Sequence, residues 1–168
     1  IPRSLNSILE VKLTEAMTFP VAETEALAPA RSAWSEIAPQ LADKAVLAMG
    51  PGVSLDPETQ DLVRKLIAEA PCPLVLDADA LTILAGHLEL IERLPRPAIL
   101  TPHPGEMARL IQGSTQTVQD DRLAIAAKFS REHRVVLVLK GDRTVIAAPD
   151  GRLAVNSSGN PAMASGGM

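Results

Sequence analysis

The chain has 168 residues, of which 46% are hydrophobic and 21% are charged, and its formal net charge is −4. This composition supplies one compact core, so a single domain over residues 1–168 is predicted. An acidic chain without a long basic run argues against nucleic acid as the partner. No apolar run approaches the roughly 18 residues of a membrane span, which favours a cytoplasmic protein without a membrane partner. The single Cys72 cannot form an internal disulfide and is predicted to be a small buried or edge thiol.

In chain order, the first regular elements are predicted after a loop-like segment at 18–32, which is rich in Ala, Glu and Pro. Residues 45–49 are predicted to form a buried strand. Asp56 and Pro57 then fit the N-cap and the first position of a helix ending near Ala70. The buried face of this helix is predicted to carry Leu62, Val63, Leu66 and Ile67.

Apolar runs and helical spacing continue to alternate along the rest of the chain, which is typical of strand–helix–strand crossovers. Strands are predicted at 74–76 and 98–100, and helical segments at 80–84, 105–111 and 120–133. Three short strands at 135–139, 144–148 and 152–155 form a predicted antiparallel meander. The fold class is therefore α/β, with a mostly parallel sheet and an antiparallel edge.

The helix predicted at 120–133 is longer than the two before it. Leu123, Ala126, Ala127 and Ser130 share one side of it at helical spacing.

Five segments that could bind a ligand or take part in a reaction lie at or near predicted strand ends. They are GPG at 50–52, VLDADAL at 75–81, LTPHPGEM at 100–107, LKGDRT at 139–144 and the glycine-rich NSSGNPAMASGGM at 156–168. In open α/β sheets, ligands bind at the carboxyl ends of the strands. Glycine-rich loops add main-chain N–H groups that can face an anion.

In their order along the chain and in their residues, these segments resemble those of the ribokinase-like NAD(P)H-hydrate dehydratases. Members of this family are lyases that repair hydrated, inactive NADH and NADPH at the expense of ADP or ATP, with Mg²⁺ as the cofactor. The resemblance covers nearly the whole chain and implies a three-layer α/β/α fold. It also implies a fragment that is incomplete at both ends, because residues 1–20 resemble an interior stretch and the family's catalytic Asp is expected just after Met168.

The resemblance also implies the reaction and the partners. The S-epimer of the hydrate is phosphorylated on its ring hydroxyl, and loss of phosphate then restores the dihydronicotinamide. The expected partners are the hydrated cofactor and a nucleotide, and the family implies a homo-oligomer. An epimerase domain often precedes this domain in the same polypeptide.

The resemblance assigns substrate contacts to Gly52 and His103. Without it, the GPG segment is more simply a tight turn, and a histidine in a loop is usually only a polar surface residue. Glu106 corresponds to an acidic position near magnesium, acting through water. The alternative for Glu106 is an acid placed favourably in the first turn of a helix.

The resemblance assigns nucleotide binding to the segment after the strand at 135–139. The implied residues are Lys140, Gly141, Asp142, Arg143, Thr144 and Asn160. On spacing alone, the same segment would be a charged hairpin between two strands. Gly166 and Gly167 are implied as the anion hole for the transferred phosphate, in a loop where Ala162, Ser165 and Met168 depart from the family pattern.

Asp77 and Asp79 leave two interpretations open. One aspartate is a helix cap and the other a solvated acid, or one of them organises magnesium or phosphate.

Two rival functions also remain. The first is a ribokinase-like kinase of a vitamin-precursor alcohol, disfavoured because the HPGE motif is not headed by Asn. The second is a catalytically silent nucleotide-binding module. A P-loop NTPase is disfavoured because no GxxxxGK[ST] motif occurs.

Overall fold

The computed structural model describes residues 1–92 and 94–160. Its centre is one six-stranded sheet with the strand order β1-β2-β3-β4-β5-β6. The strands are β1 (Leu47–Met49), β2 (Leu74–Leu76), β3 (Ala98–Leu100), β4 (Val136–Leu139), β5 (Val145–Ala147) and β6 (Leu153–Val155). The pairs from β1 to β4 are parallel, and β4–β5 and β5–β6 are antiparallel. The predicted mixed α/β sheet with an antiparallel edge is confirmed.

Helices connect the parallel strands. The α-helices are α1 (Asn6–Lys12), α2 (Trp34–Ile37), α3 (Pro57–Glu69), α4 (Ala78–Leu84), α5 (Glu89–Glu92), α6 (Pro104–Leu110), α7 (Thr115–Asp120) and α8 (Arg122–His133). Short 3₁₀ turns lie at Arg3–Leu5, Arg31–Ala33 and Ala38–Leu41. Within residues 1–92 and 94–160, none of these helices combines the length and apolar character needed to cross a bilayer.

Helix α3 forms as its sequence predicts. The Asp56 carboxylate accepts a hydrogen bond from the Glu58 N–H at 2.9 Å, and Pro57 occupies the first turn, where its missing N–H costs nothing. The four predicted apolar positions, Leu62, Val63, Leu66 and Ile67, are all buried. Burial of this stripe anchors the helix to the core.

The helix predicted at 120–133 is confirmed as α8, which begins two residues later because Asp121, with φ −148° and ψ 72°, is its N-cap. Helix α7, just before it, was not predicted. Ser114 caps α7 by accepting a hydrogen bond from the Thr117 N–H, and Asp121 caps α8 by accepting one from the Ala124 N–H. Each helix therefore has its own N-terminal cap.

The residues that the sequence places on one side of this helix differ in burial. Leu123 is 47% exposed. Phe129, at 3% exposure, packs inward beside Ala126 and Ser130. Ala127 is only partly buried.

The segment at 18–32 has no strand or α-helix, as predicted, but it is not simply a surface loop. Val21, Ala28 and Ala30 are buried, and a bridge joins Val21 to Pro2. This segment therefore contributes to the core. The buried state predicted for Cys72 is confirmed.

Burial alternates along the central strands. Leu76, Leu100 and Leu139 are fully buried, whereas Val75 and Ile99 on the opposite face are partly exposed. Right-handed crossovers between strands that follow one another in order place their helices on a single face of the sheet. The core therefore lies between that face and the connecting helices.

Candidate functional site

The carboxyl ends of the parallel strands meet at one edge of the sheet. The Thr101 N–H donates to the Leu76 carbonyl at 3.0 Å, and the Lys140 N–H donates to the Pro102 carbonyl at 2.8 Å. These bonds tie together the segments that follow β2, β3 and β4. We call this edge, with the loop after β1, the strand-end site.

Four of the five segments identified in the sequence converge on the strand-end site. Most of the fifth segment, residues 161–168 with Gly166 and Gly167, falls outside the described residues. Asn160 is the last described residue and is exposed.

Lys140 is the cation of the strand-end site. Its Nζ lies 2.5 Å from Asp77 Oδ1 and 3.9 Å from Glu106 Oε2. Its side chain is 39% exposed, while that of Glu106 is only 8% exposed. One ammonium thus serves two carboxylates, which leaves the three groups together with a net negative charge.

Asp77 is both a helix cap and the partner of Lys140. Its carboxylate accepts a hydrogen bond from the Ala78 N–H at 2.9 Å, at the start of α4. Burial raises the pKa of the Asp77 carboxyl, but hydrogen bonds from Lys140, Ala78 and Thr101 and the Lys140 charge outweigh it. The net effect holds the pKa below its usual value of 3.8.

Asp79 points to a different partner. Its Oδ2 accepts a hydrogen bond from the Ser54 N–H at 3.0 Å, which joins α4 to the loop after β1. Asp77 therefore fits the helix-cap interpretation, and Asp79 is a loop anchor rather than a solvated acid.

Asp77 should make stability pH-dependent on the acid side. Because its folded pKa lies below 3.8, the ionised carboxylate stabilises the fold above that pH. The contribution is lost as the pH falls through the folded pKa. We expect Asp77→Asn to lower the free energy of unfolding at pH 7 by about 1 kcal/mol, a modest value because the pair is partly exposed. Urea denaturation between about pH 3 and pH 7 should show the difference shrinking with acid. A gap that stays constant with pH would contradict this role for Asp77.

His103 and Glu106 form a reciprocal cap at the start of α6. His103 Nδ1 accepts hydrogen bonds from the N–H groups of Gly105 at 3.0 Å and Glu106 at 3.3 Å. Glu106 Oε2 accepts one from the His103 N–H at 2.8 Å. This is a capping box with histidine in place of Ser or Thr, so the sequence rule missed it.

The same cap fixes the histidine tautomer. Because Nδ1 accepts hydrogen bonds, the ring proton of the neutral imidazole lies on Nε2, which is 3.2 Å from Glu106 Oε1. The ring packs so closely that a Cβ on Gly105 would lie 2.9 Å from His103 Cε1. Gly105 therefore leaves the space that this ring position needs.

Both oxygens of Glu106 are engaged by His103. Within the described residues there is no cluster of three or more His, Cys, Asp or Glu side chains that could hold a metal ion.

The GPG segment forms the loop that leaves β1. The Val53 N–H donates to the Gly50 carbonyl at 3.1 Å, which closes the turn. Gly52 has φ +68° and open space where a Cβ would project. The tight-turn interpretation is thus correct, and Gly52 also presents an open side to the edge of the sheet.

The segment after β4 is exposed at Gly141, Asp142 and Arg143. Thr144 Oγ1 donates to the Gly141 carbonyl at 3.2 Å, which stabilises the bend. Arg122, which the sequence reasoning missed, also contacts this segment. Its partner segment is about 20 residues away in the chain, so spacing gave no signal for it.

Three of the six non-glycine residues with positive φ in the described part of the chain lie at this edge. Ser54, Ala78 and Arg143 have φ values of +87°, +46° and +52° and follow β1, β2 and β4. Non-glycine residues with positive φ cost free energy, and such strain often gathers at functional sites.

Comparisons with known proteins agree with this geometry. The family model described as NAD(P)H-hydrate dehydratase matches residues 5–168. The Bifunctional NAD(P)H-hydrate repair enzyme Nnr of Moorella thermoacetica is 49% identical over 167 residues, which cover 99% of this chain and 32% of that protein.

Two solved structures are also similar. One is the ADP/ATP-dependent NAD(P)H-hydrate dehydratase from Bacillus subtilis, co-crystallized with ATP/Mg²⁺ and soaked with CoA. It has a TM-score of 0.72 at 31% identity, over 99% of this chain and 56% of that one. The other is a ribokinase-like superfamily protein from Enterococcus faecalis V583, with a TM-score of 0.78 at 24% identity over 99% and 54%. The second supports the ribokinase-like fold alone. The chain thus spans about a third of the curated relative and about half of these solved chains.

Proposed function

The chain belongs to the NAD(P)H-hydrate dehydratase family, and on that basis we propose that the complete polypeptide dehydrates the S-epimer of hydrated NADH and NADPH. ADP or ATP would be the phosphate donor. The observation that carries the proposal is the convergence of three family segments, 75–81, 100–107 and 139–144, on the strand-end site of a chain that the family model matches over 5–168. The Bacillus subtilis relative is named for the use of ADP or ATP.

The proposed reaction has two steps. The ring hydroxyl of the hydrate loses its proton to a base, the role that the family gives to an aspartate, and its oxygen attacks the terminal phosphorus of the nucleotide. A new O–P bond forms, the bridging P–O bond breaks, and the shortened nucleotide leaves. The substrate phosphate then departs with its C–O bond electrons, and loss of a ring proton restores the dihydronicotinamide. Phosphoryl transfer of this kind depends mainly on positioning and on stabilisation of charge.

The residues of the strand-end site suit these requirements. Lys140 provides an ammonium beside the exposed segment 141–143, and a phosphate there would also meet main-chain N–H donors. Gly52 leaves open space beside the loop after β1 for the hydrated nicotinamide. His103 is half exposed, so its ring can contact the same substrate.

Magnesium fits the charge of this site. Because Lys140 is shared by Asp77 and Glu106, the site has an excess of negative charge and would repel a bare nucleotide. Bound Mg²⁺ would neutralise phosphate charge, and Asp77 and Glu106 would hold its water ligands. Magnesium commonly keeps several waters and binds through one or two carboxylates and substrate phosphates.

The Moorella thermoacetica relative is named as a bifunctional enzyme, and this chain covers 32% of the length of that protein. We therefore propose that an epimerase activity and this dehydratase belong to one polypeptide. Assembly into a homo-oligomer is part of the same proposal, based on family resemblance.

The test is recovery of reduced-nicotinamide absorbance from purified hydrated NADH by the complete polypeptide, with ADP, ATP or no nucleotide. Recovery with a nucleotide and Mg²⁺, and none without nucleotide, is the expected result. Nucleotide binding without recovery would overturn the dehydratase proposal. Phosphorylation of a hydroxymethylpyrimidine or thiazole alcohol in that case would favour a vitamin-precursor kinase, and no turnover of either would favour a silent binding module.

A further inference from the structure

The Arg122 side chain holds the main chain of the segment after β4, which is proposed to bind the nucleotide. Arg122 is the first residue of α8, and its guanidinium reaches the segment that follows β4. Nη1 donates to the Asp142 carbonyl at 2.5 Å, and Nη2 donates to the carbonyls of Leu139 at 2.9 Å and Lys140 at 3.2 Å. One planar group therefore fixes three carbonyls within four consecutive residues.

The segment is shaped around the guanidinium. Gly141 has φ +139°, and a Cβ there would lie 3.1 Å from Arg122 Nη2. A side chain at 141 would therefore both strain the backbone and displace the arginine.

An arginine at this position has a free-energy cost that its contacts with the loop must offset. Its Nε is buried and has no hydrogen-bond partner within the described part of the chain. A buried unsatisfied donor is unfavourable. The two terminal nitrogens offset that cost by bonding three carbonyls at once, and a lysine cannot reproduce this planar fork.

As a result, the carbonyls of the loop accept hydrogen bonds while its N–H groups stay available. The Arg122 guanidinium donates to three carbonyls, and Thr144 Oγ1 donates to the carbonyl of Gly141. Within residues 1–92 and 94–160, the N–H groups of Gly141, Asp142 and Arg143 donate to no acceptor. Available N–H groups in a turn form a concave site that favours anions.

We infer that Arg122 is a positioning residue for nucleotide binding. It does not contact the nucleotide, but it fixes the carbonyls of 139–142 so that the loop N–H groups and the Lys140 ammonium meet the phosphates of a nucleoside di- or triphosphate. This inference rests on the proposed function. It adds a residue from outside the nucleotide segment to the binding of the phosphate donor.

The test compares Arg122→Lys with Arg131→Lys in the complete polypeptide. Arg131 is an exposed arginine on the same helix. Its replacement therefore controls for the exchange of a guanidinium for an ammonium on α8. We expect Arg122→Lys to raise the Kd for ADP and the KM for nucleotide at least about tenfold. The KM for hydrated NADH should stay close to that of Arg131→Lys, even though loss of the three carbonyl contacts lowers the melting temperature. A general loss of structure would change all of these values together.

Amide hydrogen exchange of the nucleotide-free protein gives an independent readout. We expect faster exchange at residues 140–144 in Arg122→Lys and unchanged exchange in α3. If Arg122→Lys does not fold, Gly141→Ala provides the second variant, because its Cβ would displace the guanidinium while Arg122 remains. A similar selective rise in the KM for nucleotide is expected from it.

The outcomes separate the inference from the proposed function. If the unaltered protein neither binds ADP nor repairs hydrated NADH, the proposed function is wrong. If it does both and Arg122→Lys binds ADP with unchanged affinity and exchange, the positioning role of Arg122 is wrong.

Discussion

Gly50→Ala is expected to prevent folding or to lower the free energy of unfolding by about 3 kcal/mol or more. A Cβ at this position would lie 1.7 Å from the Asp77 carbonyl oxygen and 2.6 Å from its carbon. Gly50 also has φ +138°, where a side chain is strained in any surroundings. Both of these Asp77 atoms belong to the main chain directly after β2. No flexible side chain can therefore move to relieve the overlap.

Gly52→Ala is the matched control, two residues further along the same loop. Gly52 has φ +68°, but nothing lies within 4 Å of its Cβ position. Only the backbone cost remains, so we expect a loss of about 1 kcal/mol. Urea denaturation of both variants measures the difference. Equal losses for the two variants would show that contact with Asp77 does not explain Gly50.

This contrast divides the GPG segment into two parts. Gly50 allows the loop after β1 to pass against Asp77, so its role is to bring two strand ends together. Gly52 faces open space and is the glycine available to a ligand. The sequence indicated glycines near a ligand edge, but only the packing distinguishes the roles of the two.

Local rules were sufficient for the elements that follow standard patterns. Asp56 and Pro57 marked the start of α3, and the strands β2 and β3 were predicted with their observed bounds. The prediction missed helix α7, although Ser114 caps it. Its six residues make fewer than two helical turns, which is too short for a clear hydrophobic period.

The candidate site was predicted in its parts but not in its connections. Strand-end motifs indicated which segments meet, because parallel strands bring their carboxyl ends to one edge. The Lys140–Asp77 pair joins residues 63 positions apart, and its formation depends on how β2 and β4 align in the sheet. Arg122 is still harder to predict, because its partners are main-chain carbonyls that carry no sequence signature.

Lys140→Met is expected to have the largest effect on activity. Removal of the ammonium takes away the charge that would stabilise the transferring phosphate. A fall of about 100-fold or more in nucleotide-dependent repair of hydrated NADH is therefore expected, similar to the loss of one preorganised charge-stabilising group. The same change leaves Asp77 and the buried Glu106 without their cation. We expect the free energy of unfolding to fall by about 1–2 kcal/mol.

A suitable control is Lys128→Met on α8. Lys128 is 74% exposed and lies 3.9 Å from Glu132, an exposed pair that should contribute little. We expect this variant to retain both stability and repair activity. A comparable loss of activity in Lys128→Met would point to a general effect of lysine replacement.

The double variant Lys140→Met with Asp77→Asn separates the two roles of the lysine. Neutralising Asp77 removes one of the two charges that the single change leaves without a cation, so part of the lost stability should return. The ammonium proposed to contact the phosphate is still absent, so repair activity should stay about 100-fold below that of the unaltered protein. If activity returns together with stability, Lys140 acts only by neutralising Asp77 and does not stabilise the phosphate.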